Sequence, residues 1–138
     1  MKKKILLTLI IFAIYFPQKI FAQADEIANF CSSFLSYPYI SDGQQYKTIL
    51  VDDEIAEFRA TFYGGATYRI VACSGTSEGN LIFRLYDAQR NELFESSRFN
   101  NTQYWDFKFN STVDCIIEAE LKPSAENSGF AIIMIGFK

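Results

Sequence analysis

Apolar and polar residues alternate with a period of two along most of this chain. The clearest case is the segment YWDFKF at residues 104–109, in which every second residue is a large aromatic. Successive side chains of a β-strand point to opposite faces, so this alternation predicts strands with one buried face. About eight strands are expected, two of them inside residues 57–75 and the others at residues 46–51, 81–86, 92–96, 104–109, 113–121 and 130–137.

The segment EFRATFYGGATYRIVACSG at residues 57–75 lies at the centre of this pattern. Apolar residues hold every second position from Phe58 to Phe62, and the same spacing resumes from Tyr68 to Ala72. Two adjacent glycines separate the two stretches. Short strands on either side of a glycine turn are typical of a β-hairpin, so we predict that these two strands pair with each other.

A helical pattern occurs once, near the start of the chain, at residues 25–34. Ile27, Phe30, Cys31 and Phe34 follow the i, i+3, i+4, i+7 spacing of one helical face. We therefore predict one short N-terminal helix, which ends before the proline at position 38.

The order of these elements indicates the fold class. Helices and strands do not alternate as they do in parallel α/β folds, and the strands follow one another at short intervals. We predict an all-β protein, an antiparallel β-sandwich with jelly-roll-like or Greek-key topology. The nearly continuous apolar run at residues 130–137 is typical of a central strand that is buried on both sides.

Residues 1–22 have the composition of a secretory signal peptide. Three lysines precede a 12-residue apolar run at residues 5–16, and small residues follow at Ala22 and Ala24. A helix that crosses a bilayer needs about 20 apolar residues, so a retained membrane anchor is the weaker alternative. We predict cleavage after Ala22 or Ala24 and export of a soluble product to the periplasm or the extracellular space.

The remaining residues, 23–138, are predicted to form a single domain, because their number suits one domain of ordinary size. Removing residues 1–22 takes away four of the 13 basic residues and none of the 16 acidic ones, which leaves a net charge of −7. Such a charge argues against nucleic acid and anionic membrane surfaces as partners.

Three cysteines follow the predicted signal peptide, and in an oxidising compartment an odd number leaves one thiol unpaired. Cys115 shares the apolar face of its predicted strand, so we expect it to be the buried free thiol. Cys73 points to the face opposite Tyr68, and Cys31 lies on the apolar stripe of the helix. We therefore predict a Cys31–Cys73 disulfide that attaches the helix to the sheet.

Catalytic chemistry has few candidates in this sequence. The chain contains no histidine, which removes Ser-His-Asp and Cys-His catalysis and the usual zinc sites. Paired carboxylates remain as a basis for a hydrolase: Glu118 and Glu120 share a strand face, and Asp106 and Asp114 are expected on neighbouring strands. Outward carboxylates are common on a solvated sheet, so we predict that the protein is not an enzyme.

The acidic run Asp52-Asp53-Glu54 is a possible metal site. A calcium loop, however, requires oxygen ligands that converge from spaced positions. We therefore predict a solvated turn at this run, and neither a metal nor another cofactor is expected.

Part of the pattern resembles a known family. The glycine-rich turn, the Tyr-x-Ile strand and the strand that ends in Leu-Tyr-Asp look like the bacterial pre-peptidase C-terminal domain and similar export-associated jelly rolls. The likeness covers roughly residues 55–121. It rests on Gly64, Gly65, Tyr68, Ile70, Leu85, Tyr86, Asp87 and Leu93.

The end of the chain is also similar to a group of short uncharacterised secreted proteins of Gram-negative bacteria, through the segment Ser128-Gly129-Phe130-Ala131. Both resemblances imply a jelly-roll module. We expect this module to stand alone, without an attached protease, so the resemblance does not extend to a protease-accessory role.

The function that these observations favour is a secreted, non-catalytic binding or interaction module of the cell envelope or extracellular space. Tyr63, Tyr86 and Tyr104 are predicted on outward faces, where they would offer a stacking platform to a glycan or an anchor to a protein. The alternatives are a carboxylate-dependent hydrolase and a structural envelope protein that assembles through its edge strands or its free cysteine.

Overall fold

A computed structural model describes residues 22–76, 79–123 and 127–138, and most of the predicted signal peptide lies outside these ranges. Eight strands are formed by the described residues, at positions close to those expected. They are β1 (Ile40–Val51), β2 (Ile55–Phe62), β3 (Thr67–Cys73), β4 (Leu81–Asp87), β5 (Glu92–Glu95), β6 (Tyr104–Lys108), β7 (Val113–Leu121) and β8 (Ser128–Phe137).

The strands form two four-stranded antiparallel sheets. The first sheet has the order β1-β8-β3-β6, and the second has the order β2-β7-β4-β5. Two sheets with this interleaved strand order form a jelly roll. The predicted fold class, an all-β antiparallel sandwich with a short helix at the start, is therefore confirmed.

The core lies between the two sheets, where the apolar positions of both meet. All sixteen of its buried residues lie on strands, distributed over seven of the eight, and partly buried aromatic side chains pack against them. The largest fully buried side chains of this layer are Phe62, Ile70, Leu81, Phe83, Leu85, Ile117, Ile133 and Ile135.

The helix, α1, covers residues 22–32 in the described part of the chain and continues into a 3-10 turn at Ser33–Leu35. It packs on the outer face of the first sheet, where Ile27 belongs to one buried cluster with Val71, Ile132 and Met134. The central strand β8 is therefore buried on both faces, as its apolar run predicts.

A disulfide joins Cys31 of α1 to Cys73 of β3, the pairing that strand parity predicts. Both residues are completely buried in the layer between the helix and the first sheet. The bridge closes a stretch of 42 residues. It thus joins the N-terminal helix covalently to β3.

Cys115 is the free, buried thiol of the described residues. It lies on β7 opposite Ala60 of β2, on the face that contributes to the core. Burial, together with the negative charges of Asp87 and Asp114, raises the pKa of this thiol to about 11. Such a thiol is a poor nucleophile at neutral pH.

The predicted hairpin between the strands of residues 57–75 is wrong. The first of these strands is β2 of the second sheet, and the other is β3 of the first sheet, so they do not pair. Their inward faces oppose each other across the core, where the rings of Phe62 and Tyr68 meet at 4.9 Å. Pairing them in one sheet would break up this contact across the core.

The strand predicted at residues 46–51 also starts earlier than expected, at Ile40. Its register against β8 shifts between Ser41 and Gln45, which makes a bulge at the sheet edge. Gly43, in the left-handed region with a φ of 81°, allows this bulge. The polar segment at residues 41–45, which lies outside the predicted strand, is thus an irregular part of β1.

Replacing both Cys31 and Cys73 by alanine should lower the free energy of unfolding by about 4 kcal/mol, because the open chain of the unfolded state gains entropy. Denaturant unfolding of the oxidised protein and the double variant measures this difference. Cys115→Ala is the matched control, with an expected loss of about 1 kcal/mol for a small cavity. Equal losses in the two variants would contradict a stabilising role of the bridge.

Alkylation of Cys115 by iodoacetamide at pH 9 should be roughly fiftyfold slower in the folded protein than in the unfolded chain, since a shift of two pKa units removes most of the thiolate. The folded state favours the neutral thiol, so its stabilising contribution is complete below pH 9 and is lost as the pH rises towards 11. Cys115→Ala should lack this component of the alkaline loss of stability. Rapid alkylation of the folded protein would show that the thiol is not buried.

Candidate functional site

The described residues form a cleft of about 1060 Å³ at the edge of the sandwich where β1 faces β2. It opens beside the bulge of β1 and extends towards the ends of β2 and β8. Its lining residues come from both sheets and from two connections between strands: Asp42, Gln44, Tyr46, Arg59, Ala60, Thr61, Phe62, Tyr63, Ala66, Tyr68, Ala88, Arg90, Asp114, Cys115, Ile116, Ile135 and Phe137.

The cleft combines buried apolar residues with polar groups near its mouth. Phe62, Tyr68 and Ile135 are buried in the core, where each contributes to the apolar layer between the sheets. Asp42, Arg59, Arg90 and Asp114 supply the charged groups. An apolar surface with a small number of polar groups is typical of binding sites in proteins.

The loop that joins β2 to β3 is fixed by hydrogen bonds. The backbone N–H of Tyr63 donates to the hydroxyl of Tyr68 at 3.0 Å, and the N–H of Gly65 donates to the carbonyl of Phe109 at 2.9 Å. A Cβ at Gly64 would lie 2.8 Å from the Cα of Ser111, so only glycine allows the two loops to pack so closely. This loop holds Tyr63 at the mouth of the cleft with 64% of its surface exposed.

Tyr46 connects the two walls of the cleft. Its hydroxyl lies within hydrogen-bonding distance of the side-chain oxygen of Gln44 and is 3.1 Å from the backbone carbonyl of Arg59 on β2. Its ring packs against Phe58 at 5.2 Å. Burial, and secondarily the charge of Asp42, raises the pKa of Tyr46, so it remains a neutral hydrogen-bonding group.

Asp42 carries a negative charge beside this wall. The N–H of Gln44 donates to its carboxylate at 2.8 Å, and the described residues include no cation within ion-pair distance of it. Loss of hydration raises the pKa of Asp42, and the bond from Gln44 partly offsets this shift. A cationic group placed in the cleft would therefore find an uncompensated carboxylate.

Most carboxylates on the outer face of the second sheet are already bound to arginines. Arg90 reaches Glu57 at 2.5 Å and Glu118 at 2.9 Å, and Arg84 reaches Glu120 at 2.7 Å. The prediction that Glu118 and Glu120 share a face is confirmed. Each of them, however, is held in an ion pair.

The other carboxylate pair suggested by the sequence is not formed. Asp106 lies on β6 of the first sheet, whereas Asp114 lies on β7 of the second sheet, so the prediction that they occupy neighbouring strands is wrong. Asp114 accepts a hydrogen bond from the hydroxyl of Thr61 at 2.7 Å. Asp106 forms a two-bond ion pair with Arg69, whose hydrogen bonds lower the pKa of Asp106.

Tyr104 belongs to this arginine cluster. The guanidinium of Arg69 lies 4.2 Å from the ring centres of both Tyr39 and Tyr104, and it also donates to the carbonyl of Phe34. Two cation–π contacts to one arginine give Tyr104 a structural role in the first sheet. Tyr104 is thus half-buried beside the 3-10 turn that follows α1.

The three tyrosines predicted to bind a ligand do not share one surface. Tyr63 lies at the mouth of the cleft, Tyr86 lies on the outer face of the second sheet, and Tyr104 lies on the outer face of the first sheet. A single stacking platform built from all three is therefore not present. A binding role for any one of them stays a prediction.

The sequence pattern did not identify Asp42, Tyr46 or Thr61 as members of a site. The only signal for Asp42 and Tyr46 is negative: the polar segment before residue 46 interrupts the alternation, and interruptions of this kind mark bulges at sheet edges. Thr61 lies in a regular strand and carries no such signal.

No group of three or more potential metal-binding side chains occurs among the residues described. Within the same residues, no helix has the length and apolar character needed to span a membrane.

No protein-family model matches this sequence, and no curated protein matches it either. The resemblance to pre-peptidase C-terminal domains therefore stays a prediction. Among solved structures, the chain is similar to the crystal structure of Aeromonas hydrophila PliG, a periplasmic lysozyme inhibitor of g-type lysozyme. The two share 8% sequence identity and superpose with a TM-score of 0.54, over 75% of this chain and 90% of PliG. At this identity, the likeness shows that the two proteins share a β-sandwich fold.

Proposed function

We propose that this protein is an exported, non-catalytic inhibitor that binds another protein, and that its target is a lysozyme of the g type. The observation that carries this proposal is the fold shared with a periplasmic inhibitor of that enzyme class over most of the inhibitor's length. Since folds host many functions, the proposal also has to be supported by the site itself.

The mouth of the cleft has the properties of a protein-binding surface. Tyr63 is a large aromatic residue held in an exposed position by a loop whose backbone bonds are satisfied. Tyrosines of this kind are frequent energetic centres of interfaces, and a rigid loop loses little conformational entropy on binding. Phe137, 38% exposed, adds apolar surface at the same cleft.

The predicted export and the disulfide support the proposed location. The sequence at residues 1–22 predicts a signal peptide, and disulfides persist in oxidising compartments such as the periplasm. The Cys31–Cys73 bridge is one such disulfide. An inhibitor of a cell-wall-cleaving enzyme would act in that compartment or outside the cell.

The alternative of a carboxylate-dependent hydrolase has less support. Its two suggested pairs are either separated between sheets, as Asp106 and Asp114 are, or engaged by arginines, as Glu118 and Glu120 are. A glycosidase needs one acid and one base or nucleophile facing the same bond. Among the described residues, neither pair offers that arrangement.

The protein, expressed from its full gene and purified after export, should reduce the rate at which a g-type lysozyme lyses a bacterial cell-wall suspension. Tyr63→Ala should raise the Kd for the enzyme by roughly thirtyfold, or about 2 kcal/mol, because it removes an exposed aromatic anchor. Isothermal titration calorimetry gives the Kd, and turbidity gives the lytic rate.

Leu93→Ala is the matched control, since Leu93 is 48% exposed on β5, at the opposite edge of the second sheet. This variant should bind the enzyme as the natural protein does. An absence of binding at micromolar concentrations would contradict the proposal that the target is a g-type lysozyme. If Tyr63→Ala inhibits the enzyme as strongly as the natural protein does, the target would be supported, but the binding surface would have to lie elsewhere.

A further inference from the structure

The free edge of β2 opens into the cleft. β2 is the first strand of the second sheet and pairs only with β7 among the described strands. Residues from Arg59 to Tyr63 line the cleft. An edge strand presents unpaired backbone N–H and C=O groups, which are a template for a further strand.

Three contacts show which residues of β2 face this edge. The carbonyl of Arg59 is reached by the hydroxyl of Tyr46 from β1, and the N–H of Tyr63 donates to Tyr68 of β3, so both groups point away from β7. The N–H of Gly64 instead approaches the hydroxyl of Thr112, just before β7. Backbone groups alternate in direction along a strand, so Thr61 also faces the cleft.

The two tyrosine hydroxyls therefore occupy the ends of the part of this edge that lines the cleft. Between them, the N–H and C=O of Thr61 have no strand partner in the part of the chain that the structure describes. One residue of an added strand can bond to both groups of Thr61, as in a hydrogen-bonded antiparallel pair. The part of the free edge that lies in the cleft is thus short and bounded on both sides.

The surroundings of Thr61 determine what such a strand would carry. The buried rings of Phe62 and Tyr68 lie on the interior side of the cleft, where an apolar side chain would be shielded from water. Near the mouth, no cation of the described residues lies within ion-pair distance of the Asp42 carboxylate. The two arginines of the cleft already contact glutamates, Arg59 through Glu57 and Arg90 through Glu57 and Glu118. The uncompensated charge at Asp42 therefore favours a lysine or arginine.

We propose that the cleft binds an extended polypeptide segment, which pairs with the backbone of Thr61 and places an apolar side chain over Phe62 and a basic side chain near Asp42. This binding activity goes beyond the proposed inhibition and does not require that the target is a lysozyme. The segment belongs to a partner protein.

A second copy of the chain fits this edge less well. Pairing β2 with the β2 of another copy would need a long, accessible edge, and here Tyr46 of β1 reaches across to the carbonyl of Arg59. A flexible, extended segment can enter the cleft beneath this contact. The edge of a second folded sandwich is much wider than one extended segment and does not fit beneath this contact.

The test uses a phage-displayed library of random 12-residue peptides, selected on the purified natural protein. Enriched peptides should carry a lysine or arginine near an apolar residue. In hydrogen-exchange experiments, a synthetic peptide of the enriched sequence should slow the exchange of the Thr61 amide at least tenfold. Asp42→Asn should weaken its binding about threefold, and salt should reduce this difference.

Thr61→Pro removes the edge-facing N–H, and Thr61→Val is its matched control, since valine keeps that N–H and loses only the hydroxyl. The proline variant should bind the peptide at least tenfold more weakly than the valine variant, with thermal unfolding used to verify that both fold. If the proline variant does not fold, the exchange of the Thr61 amide in the natural protein decides the question.

Failure to enrich any peptide, or a bound peptide that leaves the Thr61 amide unprotected, overturns the proposal. A dimer that protects β2 in the free protein also overturns it, in favour of a second copy.

Discussion

The packing of Phe62 against Tyr68 across the core is the contact on which the arrangement of the site depends. These two aromatic residues flank the loop that carries Tyr63, and their rings meet between the sheets rather than side by side in one sheet. The chain therefore crosses from the second sheet to the first at this loop. Because of this crossing, β2 remains an edge strand, Tyr63 lies at the turn, and the cleft opens beside them.

The opposite side of the first sheet is stabilised by different interactions. There the helix, the disulfide and the apolar side chains of β3 and β8 form a second buried layer. The cluster of Arg69 with Tyr39, Tyr104 and Asp106 closes that layer near the end of the helix. The features that stabilise the domain and those that offer a binding surface are thus concentrated on different parts of the sandwich.

Period-two alternation predicted the strands apart from the irregular first half of β1, since burial of one face determines which residue types alternate along a strand. The same parity placed Cys73 on the outer face and Cys115 on the inner face, as the structure has them. Parity says which face a side chain occupies but not which strand lies beside it. The glycine turn at Gly64 was therefore compatible with a hairpin and with a crossing between sheets. The prediction that Asp106 and Asp114 lie on neighbouring strands was wrong for the same reason.

The cleft was not predictable, because it depends on the bulge of β1 and on the free edge of β2, and the order of the strands determines both.

The central claim is that β2 pairs on one side only and presents Thr61 to the cleft. Amide hydrogen exchange of the free protein, followed residue by residue by nuclear magnetic resonance, tests this claim most directly. The account predicts an alternation along β2, with slow exchange at Phe58, Ala60 and Phe62, which bond to β7, and fast exchange at Thr61. Slow exchange at Thr61 equal to that of its two neighbours would mean that a strand covers this edge, and it would contradict the account.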